Sequence, residues 1–196
     1  MKFKVYNAKL NLKKQLPIIT VHGRFQPPLH INHWKYINTA FGLAKKVRIL
    51  ITNPYLKDRA TNIALHRGKA ENNPFTYPQR IKIFRAFFKN KGIPSSRYEF
   101  KPFEITNKKS WLKILNKKVP NLVSTYGSPW SKQKFVDFKN FGVPVVRINL
   151  KRVKGFSGTK IRKILDQRLS PKRLKIALVR AGLMPEAVDG LLRELK

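Results

Sequence analysis

The sequence predicts an α/β protein built on a parallel sheet. Short apolar runs bounded by turn residues alternate along the chain with segments whose apolar residues recur at helical spacing. The first run, Pro17-Ile18-Ile19-Thr20-Val21, passes through Gly23 into a loop and then into Trp34-Lys35-Tyr36-Ile37-Asn38-Thr39-Ala40-Phe41, a helical pattern. A chain of 196 residues with a 42% hydrophobic fraction is also enough for one ordinary domain with a real core.

The elements follow in order. Residues 1–16 form a basic arm with weak alternation at Phe3 and Val5, suited to an edge strand. Residues 17–21 read as a buried strand and 34–41 as its following helix. Residues 47–52 are a second buried strand, closed by the turn chemistry of Asn53-Pro54. The stretch 55–75 is long, polar and poorly periodic, which predicts a loop over the site. Over 79–90 the spacing places Ile81, Phe84, Phe87 and Phe88 on one helical face and Lys82, Arg85 and Lys89 opposite, with Lys91-Gly92 as the stop. Residues 98–103 alternate as a strand, Trp111, Leu112, Ile114 and Leu115 sit on a short helix, and 121–126 is a further strand ending in Gly127-Ser128-Pro129. A helix over 130–141 and a last strand within 142–148 complete the alternation, with right-handed crossovers expected. Ser170-Pro171 is an N-cap and N1 pair opening a helix that ends at Gly182, and Pro185 begins another. The expected division is a basic arm over 1–16, one domain over 17–168 and a helical tail over 169–196, the tail an appendage or a homo-oligomer contact.

Composition narrows the function. There is no cysteine, which excludes disulfides and thiolate metal sites. No apolar run is long enough to span a bilayer, and Met1-Lys2-Phe3-Lys4-Val5-Tyr6 lacks the apolar core of a secretory signal. A cytoplasmic location is expected, with an organellar matrix still open. The 43 Lys and Arg against 9 Asp and Glu give a formal net charge of +34, more than a small-nucleotide cleft requires. Two readings stay open: compositional bias, and a polyanionic partner such as RNA or a ribosome reached through Lys2, Lys4, Lys9, Lys13 and Lys14 of the arm and Lys172, Arg173 and Lys175 of the tail.

The chemistry concentrates in Gly23-Arg24-Phe25-Gln26-Pro27-Pro28-Leu29-His30-Ile31-Asn32-His33. A strand, a glycine-started loop and a helix N-terminus make an anion site, because N–H groups point outward and the helix dipole favours phosphate. His30 and His33, three residues apart, fit as hydrogen-bond donors to one bound polyphosphate. Arg24 is placed to bridge two phosphates. Near the C-terminus Ser157, Gly158 and Thr159 precede a helix with Ile161, Ile164 and Leu165 on one face, and Arg162 follows one turn in. Hydroxyls and N–H groups there suit further phosphates, while a plain N-cap is the alternative for Ser157.

The first stretch resembles the opening motif of the HxGH class of nucleotidyltransferases, in the GRFQPxHxGH form of archaeal-type nicotinamide-mononucleotide adenylyltransferases. Phe156-Ser157-Gly158-Thr159-Lys160-Ile161-Arg162 is similar to that family's SGTxIR signature, and Glu71-Asn72-Asn73-Pro74-Phe75-Thr76-Tyr77-Pro78-Gln79-Arg80 to its ENPFTxxER segment. Asn32 stands where the motif has glycine, and one extra residue, Pro28 or Leu29, precedes His30. The resemblance covers residues 17–165. It implies a Rossmann-like sheet of the HUP nucleotidyltransferase type and transfer of AMP from ATP to a phosphorylated acceptor. Nicotinamide mononucleotide leads; pantetheine phosphate or an RNA end are alternatives. It implies catalysis by His30, His33, Arg162 and Arg24, and ATP binding by Gly23, Arg24, Phe25, Asn32, His33, Ser157, Gly158, Thr159 and Arg162. It further implies acceptor binding by Phe25, Gln26, Asn73, Glu104 and Trp111, the last by ring stacking, with plain core as the alternative for Trp111. Glu104 takes the place of a family aspartate. The implied cofactor is Mg2+, held mainly by ATP phosphates, with no metal-ligating residue named in this chain. A protein of this fold repurposed to bind RNA or a ribosome is the rival reading.

Overall fold

The computed structural model describes residues 3–54, 70–105, 107–115, 118–125 and 129–195. Residues 55–69 of the expected loop, and the turn at 126–128, lie outside that description. The chain forms two compact units: Met1–Gly23, Tyr36–Thr52 and Ser95–Arg152 make the first, and Arg24–Lys35, Asn53–Pro94 and Val153–Lys196 the second.

The first unit is a six-stranded, mostly parallel, Rossmann-like sheet. Its strands are β1 (Phe3–Tyr6), β2 (Leu16–Gly23), β3 (Ala44–Thr52), β4 (Tyr98–Phe103), β5 (Asn121–Ser124) and β6 (Val145–Ile148), in the order β1-β6-β5-β2-β3-β4. Val21 of β2 faces Ile49 of β3, and Ile49 faces Phe100 of β4, all in parallel register. The basic arm is therefore not free over its whole length: β1 pairs antiparallel with β6, Phe3 opposite Ile148. An antiparallel edge strand on a parallel sheet is a common arrangement. Helix α1 (Ile31–Leu43) contributes its residues from Tyr36 onward, and α3 (Lys108–Ile114) and α4 (Pro129–Asn140) complete the unit. A core of Leu50, Phe103, Ile105, Trp111, Leu115, Val123, Phe138, Val143 and Val145 sits here.

The second unit carries the motif loop, the first turn of α1, a 3-10 turn at Ala70–Asn72, and helices α2 (Tyr77–Asn90), α5 (Gly158–Leu165), α6 (Pro171–Arg180) and α7 (Pro185–Arg193). Thr76 and Gln79 start α2 as a reciprocal capping box, with Pro78 inside the first turn. The buried stripe of α2 is Arg80, Ile83, Phe84, Phe87 and Phe88. Ile81, expected on that face, lies 100° from Arg80 around the helix and is only half-buried. Apolar spacing alone cannot find a buried arginine.

Helices α6 and α7 are built into this unit instead of hanging from it. The Ile31 N–H donates to the Gly182 carbonyl at 2.8 Å, and the Met184 N–H donates to the Leu29 carbonyl at 3.1 Å. Gly182 ends α6 at φ 94°, a conformation that favours glycine, and a Cβ there would meet the Phe156 ring at 2.3 Å. Acidic residues of α7 meet cations of its neighbours: Glu186 with Lys91, the residue after α2, at 2.5 Å and Asp189 with Lys175 of α6 at 3.0 Å. Among the described residues, no helix is long and apolar enough to cross a membrane.

Candidate functional site

His30 is the residue before α1, and its carbonyl accepts from the N–H groups of His33 at 2.8 Å and Trp34 at 3.1 Å. Its Nδ1 accepts from the Asn32 N–H at 3.2 Å, so the imidazole itself caps the helix. A nitrogen that accepts carries no proton, which places the ring proton of the neutral form on Nε2 as a donor. His33 stacks on His30 with ring centroids 3.6 Å apart and planes 26° from parallel. Phe25 also meets His33 edge-on, with centroids 5.0 Å apart, and in turn meets Phe84 at 5.2 Å. The histidine pair is thus fixed by packing.

The loop before the pair is held by its neighbours' polar groups. Phe25 and Leu29 have φ of 50° and 64°, a region costly for side chains of their size, and both are buried. Arg80 offsets that cost: it is 1% exposed and donates to the carbonyls of Arg24 at 2.7 Å, Asn53 at 2.6 Å and Thr76 at 3.4 Å. Burial lowers its pKa to about 10, which still leaves it charged at neutral pH. Gln26 exchanges two bonds with the Phe75 main chain, donating at 2.5 Å and accepting at 3.3 Å. This amide pairing copies one rung of a strand ladder. Asn73 is buried beside it in sequence.

The second phosphate motif joins the same loop. Ser157 caps α5, its Oγ accepting from the Lys160 N–H at 3.3 Å, so the plain-cap reading describes its hydroxyl. Arg162 does not project outward. It is 7% exposed, and its guanidinium donates to the Gln26 carbonyl at 2.8 Å, Asn72 Oδ1 at 3.0 Å and Thr159 Oγ1 at 3.1 Å. Burial lowers its pKa as well. Gly158 permits this junction: a Cβ on it would stand 2.6 Å from the Gln26 carbonyl oxygen, a main-chain atom that cannot swing away.

Asn32 makes contacts of its own within this unit. It lies in the first turn of α1 with no positive φ, so no special backbone conformation calls for it. Its side chain instead accepts from the Val153 N–H at 2.7 Å and donates to the carbonyls of Val153 and Phe156, both at 3.2 Å. The residue standing at the motif's glycine has become a strap from the first motif to the segment before the second.

Arg24 is half-buried, its carbonyl taken by Arg80. Gly23, Glu104 and Trp111 belong to the sheet unit. Gly23 ends β2 opposite Ile51, and Glu104 follows β4, accepting from the Asn107 amide at 3.3 Å. Trp111 is a core residue, 1% exposed between Phe103, Phe138 and Phe141, so its ring offers no open face for a base. The stacking expected of it is corrected accordingly. Sequence reasoning gave no role to Arg80, although it is the last residue of the third motif and donates to the carbonyls of Arg24, Asn53 and Thr76.

No protein-family model matches the chain, and no curated protein does. Among solved structures, the chain is similar to a bifunctional NMN adenylyltransferase/ADP ribose pyrophosphatase from Francisella tularensis, with TM-score 0.54 and 18% identity over 89% of this chain and 52% of that one. A structure of a bifunctional enzyme of the same description and organism, complexed with AMP and an Mn ion, gives TM-score 0.51 and 20% identity over 89% and 52%. The chain therefore spans about half the length of the structures it matches. At such identities the likeness is one of fold.

Proposed function

We propose that the protein transfers AMP from ATP to a phosphorylated acceptor, with nicotinamide mononucleotide as the acceptor, and releases pyrophosphate. The observation that carries this reading is the stacked pair of His30 and His33 in a loop that Arg162 ties to the N-terminus of α5. In this reaction an acceptor phosphate oxygen attacks the α-phosphorus, the bond to the bridging oxygen breaks, and pyrophosphate leaves. No protein nucleophile is needed; alignment and charge stabilisation are. The His30 Nε2–H and the His33 ring donate to phosphate oxygens. The Gly158 and Thr159 N–H groups, which have no intrahelical acceptor by helix geometry, face the β- and γ-phosphates. Arg24 bridges acceptor and ATP phosphates. Phe25, Gln26, Asn32 and Arg162 shape the loop, and Asn73 remains the acceptor-side candidate next to it.

Among the described residues no group of three or more His, Asp or Glu is placed to hold a metal ion. A hard ion such as Mg2+ prefers oxygen, and the nucleotide's phosphates would supply it. Bound there, it would neutralise charge on the phosphate oxygens.

The rival, an RNA- or ribosome-binding protein of this fold, draws support from the +34 charge and from the guanidinium of Arg162 being spent on the scaffold. The two part on one experiment. Purified protein with ATP, Mg2+ and nicotinamide mononucleotide should release pyrophosphate, and His33→Ala should lower turnover by about 10²–10³ with the fold intact. A folded protein releasing none with any phosphorylated acceptor refutes the transferase.

A further inference from the structure

A groove of about 540 Å3 lies between α5 and α6. Its floor is aliphatic: Ile164, Leu169, Ile176, Ala177 and Ala181. Lys160, Arg173 and Arg180 stand around it, all exposed. Ile176 is 45% exposed, a large aliphatic side chain left in water. The groove is separate from the motif loop. Lys160 and Ile164 share one side of α5, and Arg162 points from the opposite side. On α6, Arg173, Ile176, Ala177 and Arg180 recur at i, i+3, i+4 and i+7, the spacing of a face that buries against another helix.

From this face we infer that the groove docks an acidic amphipathic helix of a partner protein. The other side of α6 already shows the arrangement. There α6 buries Leu178, and its Lys175 pairs with Asp189 of α7, a helix that buries Val188 and Leu191 and carries Glu186 and Asp189. The groove repeats the same chemistry, with Arg173 and Arg180 of α6 and Lys160 of α5 around its aliphatic floor. A second copy of this chain is a poor occupant, because it has only 9 acidic residues in all and those of its acidic helix pair with Lys91 and Lys175. RNA fits the charge but not the floor, which has no aromatic ring for a base to stack on.

The test uses the full chain and a labelled synthetic peptide of about five helical turns, with Leu at i, i+3, i+4 and i+7 and Glu elsewhere. The control is the same composition scrambled so that no apolar face forms. Fluorescence anisotropy should show the amphipathic peptide binding at least about tenfold tighter than the scrambled one, and Ile176→Asp should weaken it by about tenfold. Arg173→Glu, at another exposed position, should weaken it in the same direction. Both variants should keep the wild-type melting temperature and leave the motif loop untouched, so the result is independent of whether AMP transfer occurs. Equal binding of the scrambled peptide, or no loss with either variant, overturns the proposal. So does an Ile176-dependent preference for oligouridylate or for phosphatidylglycerol vesicles over the peptide.

Discussion

In the sheet unit the buried groups are mostly aliphatic and aromatic, and the most exceptional polar one, His22, is packed edge-on against Phe138 at 4.9 Å. Both its ring nitrogens are buried and, among the described residues, make no hydrogen bond. In the unit with the motif loop, Arg80, Arg162, Gln26 and His30 are among the buried polar groups, and each of these four is bonded to the main chain. The first unit owes its shape to apolar area removed from water, which tolerates some exchange of side chains. The second owes its loop to directed bonds, and losing a partner there leaves a buried carbonyl unmet. A loop that must hold two residues at positive φ needs the second kind of support.

That contrast is broken most severely at Arg80. Replacing it by Leu removes the guanidinium that the carbonyls of Arg24 and Asn53 accept from, while Thr76 keeps its bond from the main-chain N–H of residue 80, at a cost of about 3 kcal/mol in unfolding free energy. Urea unfolding measures it, and a change of similar size for Ile49→Val in the sheet, where about 1 kcal/mol is expected, would erase the distinction. Next is Gly158→Ala, whose added carbon collides with the Gln26 carbonyl oxygen; forced separation should cost about 2 kcal/mol and depress ATP binding, readable by calorimetry. Asn32→Gly follows, losing three hydrogen bonds to Val153 and Phe156 for about 1–2 kcal/mol. A glycine at the motif's own position should therefore weaken the loop here, and a gain in ATP affinity would show that the strap is dispensable.

The smallest effect sharpens the sheet side. Burial, with a lesser contribution from Lys134, holds the His22 pKa well below its ordinary 6.5. The unfolded chain then binds the proton that the folded one refuses, so stability is full above about pH 6.5 and falls as pH drops below it. Comparing urea midpoints at about pH 7.5 and 5.5 should show the fall, and His22→Leu should flatten it. An unchanged slope in that variant would move the pH dependence to other groups.

The same contrast explains what was legible in the sequence. Strands β2 to β6 and the helices between them follow from apolar runs and periods, because burial against a sheet or a helix leaves a local pattern. The histidine pair and the α5 N-terminus were legible from motif spacing. The straps were not: Gln26 to Phe75, Asn32 to Val153 and Arg162 to Gln26 join residues 49, 121 and 136 positions apart, and a polar side chain carries no local sign of its distant partner. Trp111 shows the reverse failing, where a plausible local role gave way to the core that tertiary packing built, and Ile81 is an apolar residue left half-buried while Arg80 takes the buried face.

The most direct test of the proposed reaction follows the α-phosphorus of ATP. With ATP labelled at that position, Mg2+ and nicotinamide mononucleotide, the label should appear in a dinucleotide product at the same rate as pyrophosphate is released. His33→Ala should nearly abolish both while circular dichroism stays unchanged. Label that remains in ATP, or that ends in free AMP or ADP with no dinucleotide formed, would contradict AMP transfer to this acceptor.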